Sequence, residues 1–450
     1  METNQEDVMN RIWTLTLVLA LLIAPACDRT TVDTSPDPTD PVVATSVTWT
    51  TAVEPKPLST EVNKALEWLI DHQLADGGWG QGEEASRMRG GEQNAGKANV
   101  GDTCMAALAL LRSGSTPLDG TFHVALKSAI DFICEKVEEA PEEGLSIANV
   151  QGTRLQRKIG TYVDTFLASL LLSETRDRVP EGEIRRRVTK ALDKVMDKVE
   201  KNQNKDGSWD NKGWAPVLTQ GIAAKAGNRF FQGRANGSKD LDRMLARVQQ
   251  YSVTASLRKP SARPTDSRLG VGLSTVTDGS AGVPLYADSA NLGALSEINL
   301  SNVRRTVELE KVVADPKAPA EDKKQAQKDL GDIAAAKTAF VSAQTSITKR
   351  LEDKRFVSGF GNNGGEEFLS YMNLSEALVI RDDDVWRKWD AAMKDNLNRV
   401  QNKDGSWTGH HCITGRTFCT SAALLTLMAD RTPFSKEAVA AVRGDEGKDK

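Results

Sequence analysis

The sequence predicts an all-α fold, an α/α toroid of about six helical hairpins in a closed ring with a charged helical insertion. Two observations predict it: a short motif repeated at the ends of amphipathic helical patterns, and a helix rich in small residues after each repeat. Gln-Asn-Lys-Asp-Gly-Ser-Trp stands at both 203–209 and 401–407, and Gln73-Leu74-Ala75-Asp76-Gly77-Gly78-Trp79 keeps the same Gln-x3-Gly-x-Trp frame. Apolar residues at helical spacing precede each copy: Val62, Leu66 and Leu69; Val188, Leu192, Val195 and Val199; Trp386, Trp389, Met393 and Leu397. Asp-Gly then ends each helix, because glycine takes the left-handed turn at no steric cost. The second kind of helix recurs as Asp102-Thr103-Cys104-Met105-Ala106-Ala107-Leu108, Asp164-Thr165-Phe166-Leu167-Ala168-Ser169-Leu170 and Thr420-Ser421-Ala422-Ala423-Leu424. Small side chains let such helices crowd together, and an Asp, Ser or Thr at the start can accept from the free N–H groups there.

The elements follow in order. Ile12 to Ala24 is an apolar run too short to span a bilayer comfortably, and reads as a secretion signal whose positive start fits initiation at Met9. Ala24-Pro25-Ala26-Cys27 resembles a bacterial lipobox, so residues 1–27 are expected to be a signal peptide and Cys27 a lipidated mature N-terminus; a plainly cleaved signal is the alternative. Residues 28–59, with Pro36, Pro38, Pro41, Pro55 and Pro57, are expected to form a disordered tether to a membrane of the bacterial cell envelope. The toroid is expected over 60–432, with helix pairs near 61–72/102–113, 122–138/164–174, 184–201/217–227, 238–250/288–298, 338–353/366–380 and 384–400/419–429. Stacking the pairs in a circle buries the apolar face that each leaves open, with small-residue helices inside and amphipathic ones outside. Residues 302–337 read as an exposed charged insertion, a surface for a protein partner; 255–283 reads as a long loop and 433–450 as a charged tail.

Composition excludes one class of partner. Against 62 Asp and Glu the chain has 58 Lys and Arg, a net charge of -4, which leaves no basic surplus for a nucleic-acid backbone. Aromatic residues make up only 5% of the chain, yet nine are Trp, so large rings are reserved for particular positions.

Trp68-Leu69-x3-Gln73-x3-Gly77-x-Trp79 resembles the QW motif of squalene and oxidosqualene cyclases, and the later copies match its Gln-x3-Gly-x-Trp half. The resemblance covers roughly 60–430 as a repeat architecture and is close to the bacterial prenyltransferase and squalene-oxidase-repeat proteins. It implies that Gln73, Gln203 and Gln401 cap helix ends while Trp79, Trp209 and Trp407 pack on the next outer helix, structural roles rather than ligand contacts. It also implies an apolar or isoprenoid ligand, and an enzyme of terpene-cyclase or prenyltransferase type. The chain departs from that pattern, for it has no D-x-D-D acid motif, and Asp382-Asp383-Asp384 reads as a helix cap. The expected inner helices carry Ala, Ser, Leu and Gly where a cyclase lines its cavity with aromatic rings. Protein prenyltransferases hold zinc with an Asp and a Cys one residue apart plus a distant His, a spacing that Asp102-Thr103-Cys104 reproduces. Asp102 as a helix cap is the alternative.

Gly409-His410-His411-Cys412-Ile413-Thr414-Gly415-Arg416-Thr417-Phe418-Cys419 holds half of the four His and two of the five Cys. In a closed ring this loop, from the last pair, faces the first. In an oxidising compartment a Cys412–Cys419 or Cys104–Cys419 disulfide is expected; zinc on Cys104, His411, Cys412 and Cys419, or a nucleophilic Cys/His pair, are the alternatives. Asp102, Glu366, Glu367, His410, His411 and Arg416 are the candidates for a cavity rim. No cofactor is required by these readings. The expected function is a non-catalytic binding or interaction module for an apolar ligand or a partner, with an isoprenoid-processing enzyme and a scaffold as the alternatives.

Overall fold

The computed structural model describes residues 47–88, 92–210, 212–234, 238–257, 282–353 and 364–446. The expected signal peptide, Cys27, the tether up to residue 46 and most of the expected loop at 255–283 lie outside them. The described residues are mostly helical. In order they form β1 (Trp49–Thr51), α1 (Thr60–Asp71), α2 (Glu83–Ser86), α3 (Val100–Arg112), α4 (His123–Glu139), α5 (Arg154–Lys158), α6 (Val163–Arg176), α7 (Glu183–Lys201) and α8 (Pro216–Gln232). There follow α9 (Lys239–Leu257), α10 (Gly282–Ala314), α11 (Ala320–Leu351), α12 (Gly365–Val379), α13 (Asp384–Val400), α14 (Arg416–Leu427), β2 (Pro433–Ser435) and α15 (Lys436–Glu446). Among the described residues no helix is long and apolar enough to cross a membrane.

Burial divides the longer helices into two kinds. Every residue of α3, α6 and α12 is buried, so these helices are enclosed on all sides. α7 instead buries one stripe, Val188, Ala191, Leu192, Val195, Met196 and Val199 with Lys198 beside it, and turns most of its charged residues outward. The enclosed helices touch in sequence: α3 packs on α6, α6 on α8, α8 on α10, α10 on α12, α12 on α14, and α14 on α3. Small residues allow this approach; a Cβ added to Gly221 of α8 would stand 3.1 Å from Ala290 of α10. The striped helices lie outside them, α1 against α3 and α14, α4 against α3 and α7, α7 against α6 and α9, and α13 against α12 and α14.

The three repeats share one geometry. The indole N–H of Trp79 donates to Leu69 O, that of Trp209 to Val199 O and that of Trp407 to Leu397 O, each at 2.8 Å. All three rings are buried. Gln73 donates to Gly77 O at 2.7 Å inside its own turn and to Ala125 O of α4 at 2.9 Å. Gln203 reaches Gly207 O and Met244 O of α9, both at 3.2 Å. Gln401 reaches Gly405 O at 2.7 Å and Glu61 O of α1 at 3.0 Å. Each Gln thus ties the end of one outer helix to another outer helix, and the last ties α13 to the first.

Several expected boundaries change. Residues 302–337, expected as a charged helical insertion, are helical: α10 runs on from the core through residue 314 and α11 returns along it, and the C-terminal half of α11 supplies the outer helix expected at 338–353. Residues 433–446 are a strand and a helix rather than a tail, because Phe434 and Ala438 give that segment an apolar side to bury. β2 pairs antiparallel with β1, Trp49 opposite Ser435, so the tether's expected end at 59 is ordered from β1 onward.

Candidate functional site

Toward the C-terminal ends of the enclosed helices, three cations and three carboxylates meet in the interior: Arg112, Lys225 and Arg229 with Glu174, Glu297 and Glu376, all buried. Arg112 grips Glu174 through Nε at 2.8 Å and Nη2 at 2.5 Å, and donates from Nη1 to Glu376 at 3.1 Å. Lys225 donates to the other Glu376 oxygen, and Arg229 to Glu297 at 2.5 Å. Burial opposes the ionisation of Glu174, but Arg112, then Arg229 and Arg178, outweigh it and hold the carboxyl down at about 2. β1 and β2 cover this network. Arg112 donates to Thr432 Oγ1 at 2.8 Å, Arg229 donates to Pro433 O, and the Arg229 guanidinium lies 5.7 Å from the Trp49 ring and 5.8 Å from the Phe434 ring. A void of about 10 Å³ beside Trp49, Glu174, Arg178 and Pro433 has room for about one water.

The N-terminal ends of the same helices gather acids. Asp102 is the third residue of α3 and is not its cap. Asn99 is: its side chain accepts from Asp102 N at 2.9 Å, and its amide donates to Asp102 Oδ2 at 2.7 Å. Burial nevertheless pushes the Asp102 carboxyl up to about 7, with the Glu84 and Asp164 charges adding to it. Asp164 serves the neighbouring helix, accepting from Gly101 N of α3 at 3.0 Å and from Gln156 at 2.9 Å; burial raises it to about 6. Glu84 on α2 accepts from the N–H and hydroxyl of Thr414 and stands 3.6 Å from Arg154. Burial pushes its carboxyl up as well.

Glu366 and Glu367 occupy the first turn of α12 and are both buried. Glu367 accepts from the Tyr371 hydroxyl. Glu366 Oε2 accepts from Ile413 N at 3.3 Å, while its Oε1 is buried with no hydrogen-bond partner. Burial pushes this carboxyl up to about 7 against the pull of its backbone donors and of Lys158. The group beside it comes from four further segments: Lys158, Trp214, Tyr286, and His411 with Cys412. The Cys412 thiol lies 3.1 Å from His411 Nδ1 and 3.5 Å from Lys158 Nζ, and Cys412 holds a left-handed φ of 62°. Lys158 stands 5.7 Å over the Trp214 ring, whose centroid is 6.1 Å from that of Tyr286. Trp214 is 46% exposed, unusual for the largest apolar side chain.

Asp102, Glu366, Cys412 and Cys419 therefore share one end of the helices; the charges of Glu84, Glu366 and Asp102 all act on the Cys419 thiol. The expected disulfide is not there. Cys104, Cys134, Cys412 and Cys419 are free thiols: Cys419 donates to Ile413 O at 3.7 Å, Cys412 is engaged by His411 and Lys158, and Cys104 is enclosed within α3. Among the described residues no three His, Cys, Asp or Glu side chains are grouped to hold a metal ion, and Cys104, His411, Cys412 and Cys419 form no such group. Arg416 has its partners elsewhere among the described residues. It binds Asp404 and Ser406 in the third repeat turn and lies 5.0 Å from the Trp68 ring. His410 is exposed. Asp383 caps α13, accepting from Trp386 N at 2.9 Å.

Sequence reasoning missed Glu84, Lys158, Trp214 and Tyr286, which sit outside any repeat, and the whole interior ion network. A signal for the network was present in Arg112, Glu174, Arg229 and Glu376, charges set within otherwise apolar helices. No protein-family model and no curated protein matches this chain.

Proposed function

We propose that the body is a closed α/α toroid of the squalene-cyclase and prenyltransferase type, held at the bacterial envelope by a lipid on Cys27, and that it works as a recognition module rather than an enzyme. The ring reading rests on the return of α14 to α3 and on the hydrogen bond from Gln401 to Glu61, which joins the last outer helix to the first. One observation carries the functional reading: six buried charges pair with one another between the enclosed helices, under β1 and β2, and on the ring reading this interior is where a polyene would have to lie. An apolar chain placed there would strip those charges of their partners, and leaving one charge of a buried pair uncompensated costs about 3–5 kcal/mol. Recognition is then left to the opposite end, where acids, Lys158 and Trp214 converge.

The enzyme reading keeps one supporting observation. Asp102 and Glu366, both raised to about 7, hold protons near neutral pH as a general acid must. Incubating the full chain with squalene and with polyprenyl diphosphates decides between them. The expected result is unconsumed substrate and purified protein free of isoprenoid; a cyclised or transferred product would overturn the recognition reading.

A further inference from the structure

The end of the helices that carries Glu366 leaves one buried carboxylate oxygen without a donor. Glu84, Asp102, Asp164, Glu366 and Glu367 are all buried there. Among the described residues, Arg154 stands 3.6 Å from Glu84, and the Lys158 ammonium is directed to the Cys412 thiol at 3.5 Å. Neither donates a hydrogen bond to Glu366, and Oε1 of Glu366 stays buried without a donor. A carboxylate oxygen is an acceptor only, so what it lacks is an N–H or O–H group, and a charged donor satisfies it best. The Lys158 ammonium already lies 5.7 Å over the Trp214 ring, and a half-exposed indole favours an alkylammonium by the attraction of a cation to the ring face. The alkyl stem of such a group would rest on Trp214 and Tyr286, whose rings stand edge to face at 6.1 Å.

We propose that this end binds a primary alkylammonium group, its nitrogen donating to Glu366 Oε1 and its stem lying against Trp214. The proposal rests on the recognition reading above and names the chemistry recognised. A free diamine and a lysine side chain of a partner peptide carry the same group.

The groups facing Glu366 set how binding responds to pH. Its charge is felt by Tyr286 of α10, Cys412 and Cys419, while Glu84 of α2 opposes its ionisation and Lys158 of α5 favours it. Binding a cation requires the ionised carboxylate. With the free group titrating at about 7, affinity rises from pH 5.5 to pH 8.

The test is calorimetric titration of the full chain with cadaverine and with the peptide acetyl-Gly-Lys-Gly-amide, each beside its acetylated, uncharged counterpart. The expected result is binding of at least one charged probe, at least tenfold weaker for its acetylated form, at least tenfold weaker at pH 5.5 than at pH 8, and at least tenfold weaker in Glu366→Gln. Whichever charged probe binds more tightly identifies the source. Trp214→Ala, at a half-exposed position, weakens binding as well and remains informative if Glu366→Gln fails to fold. Glu310→Gln on α10 leaves binding unchanged. Equal binding of acetylated and charged probes, no binding of either charged probe, or binding unaltered in both Glu366→Gln and Trp214→Ala would overturn the proposal. None of these outcomes bears on whether polyprenyl substrates turn over, so the recognition reading stands or falls separately.

Discussion

Single residues carry two different burdens here, and both can be measured. Trp407 is fully buried and its N–H closes the turn onto Leu397 O, so Trp407→Ala leaves a cavity and an unsatisfied carbonyl and lowers stability by about 3–5 kcal/mol in a thermal or denaturant melt. Asp102 acts through its proton. Its carboxyl titrates at about 7 when folded against an ordinary 3.8, so the folded state binds more protons between those values and stability falls as pH rises through that window. Asp164, raised to about 6, contributes in the same direction; Glu174, held at about 2, contributes the opposite slope at lower pH. Asp102→Asn keeps an acceptor for Asn99 and cannot ionise, so the drop in melting temperature between pH 5 and pH 8 becomes smaller than in the unaltered protein. An unchanged drop would mean that Asp102 is ionised throughout. The Trp positions were legible in the sequence because a repeated heptapeptide announces a repeated contact. The protonated acids were not, because an Asp at a helix start reads as a cap, and only the structure shows that Asn99, just before the helix, has taken that place.

At the scale of elements, the helix pairs follow from apolar spacing and from the Asp-Gly stops, whose glycines hold left-handed φ values of 85°, 87° and 95° at Gly77, Gly207 and Gly405. A side chain at Gly405 would also meet Lys64 O at 2.7 Å, so strain and collision add. Gly405→Ala is expected to lower stability by about 2–4 kcal/mol and to weaken the tie between α13 and α1, read as faster amide exchange at the start of α1. Where the charged stretch leaves the core was not legible, for a physical reason. The continuous helix of α10 changes from a buried core segment to a solvated one near Arg305 with no Gly, Pro or cap at the change, so composition shifts while the backbone does not. Beyond it, none of residues 308–324 is buried and most are exposed. Replacing 308–324 by a short Gly-containing turn is therefore expected to leave the melting temperature within about 3 °C, since surface changes away from packed features stay near 0.5 kcal/mol. A large loss would place this arm in the fold rather than at a partner surface.

On the scale of the whole body, the interior charges and the strand pair that covers them form one system. Arg229 joins them: it donates to Glu297, lies 3.6 Å from Glu174, donates to Pro433 O of β2, and faces Trp49 and Phe434. Such a network is poor evidence of high stability, because removing six charges from water consumes most of what their attraction returns. Its pairing pattern bears on register instead: each charge has a partner on a different helix, so a shift of one helix against its neighbour would leave both unpaired. Arg229→Met alone leaves Glu297 and Glu174 short of a cation in the interior and is expected to destabilise by about 3–5 kcal/mol. Arg229→Met with Glu297→Leu removes the pair together and is expected to recover at least half of that loss, because the remaining charges still balance through Arg112, Lys225, Glu174 and Glu376. The double variant also deprives β2 of its guanidinium donor, so β1 and β2 should exchange their amide hydrogens faster even where the melt recovers. Recovery of the melt without faster exchange would show that the strand pair is held by Trp49 and its bond to Asp177 rather than by the interior charges.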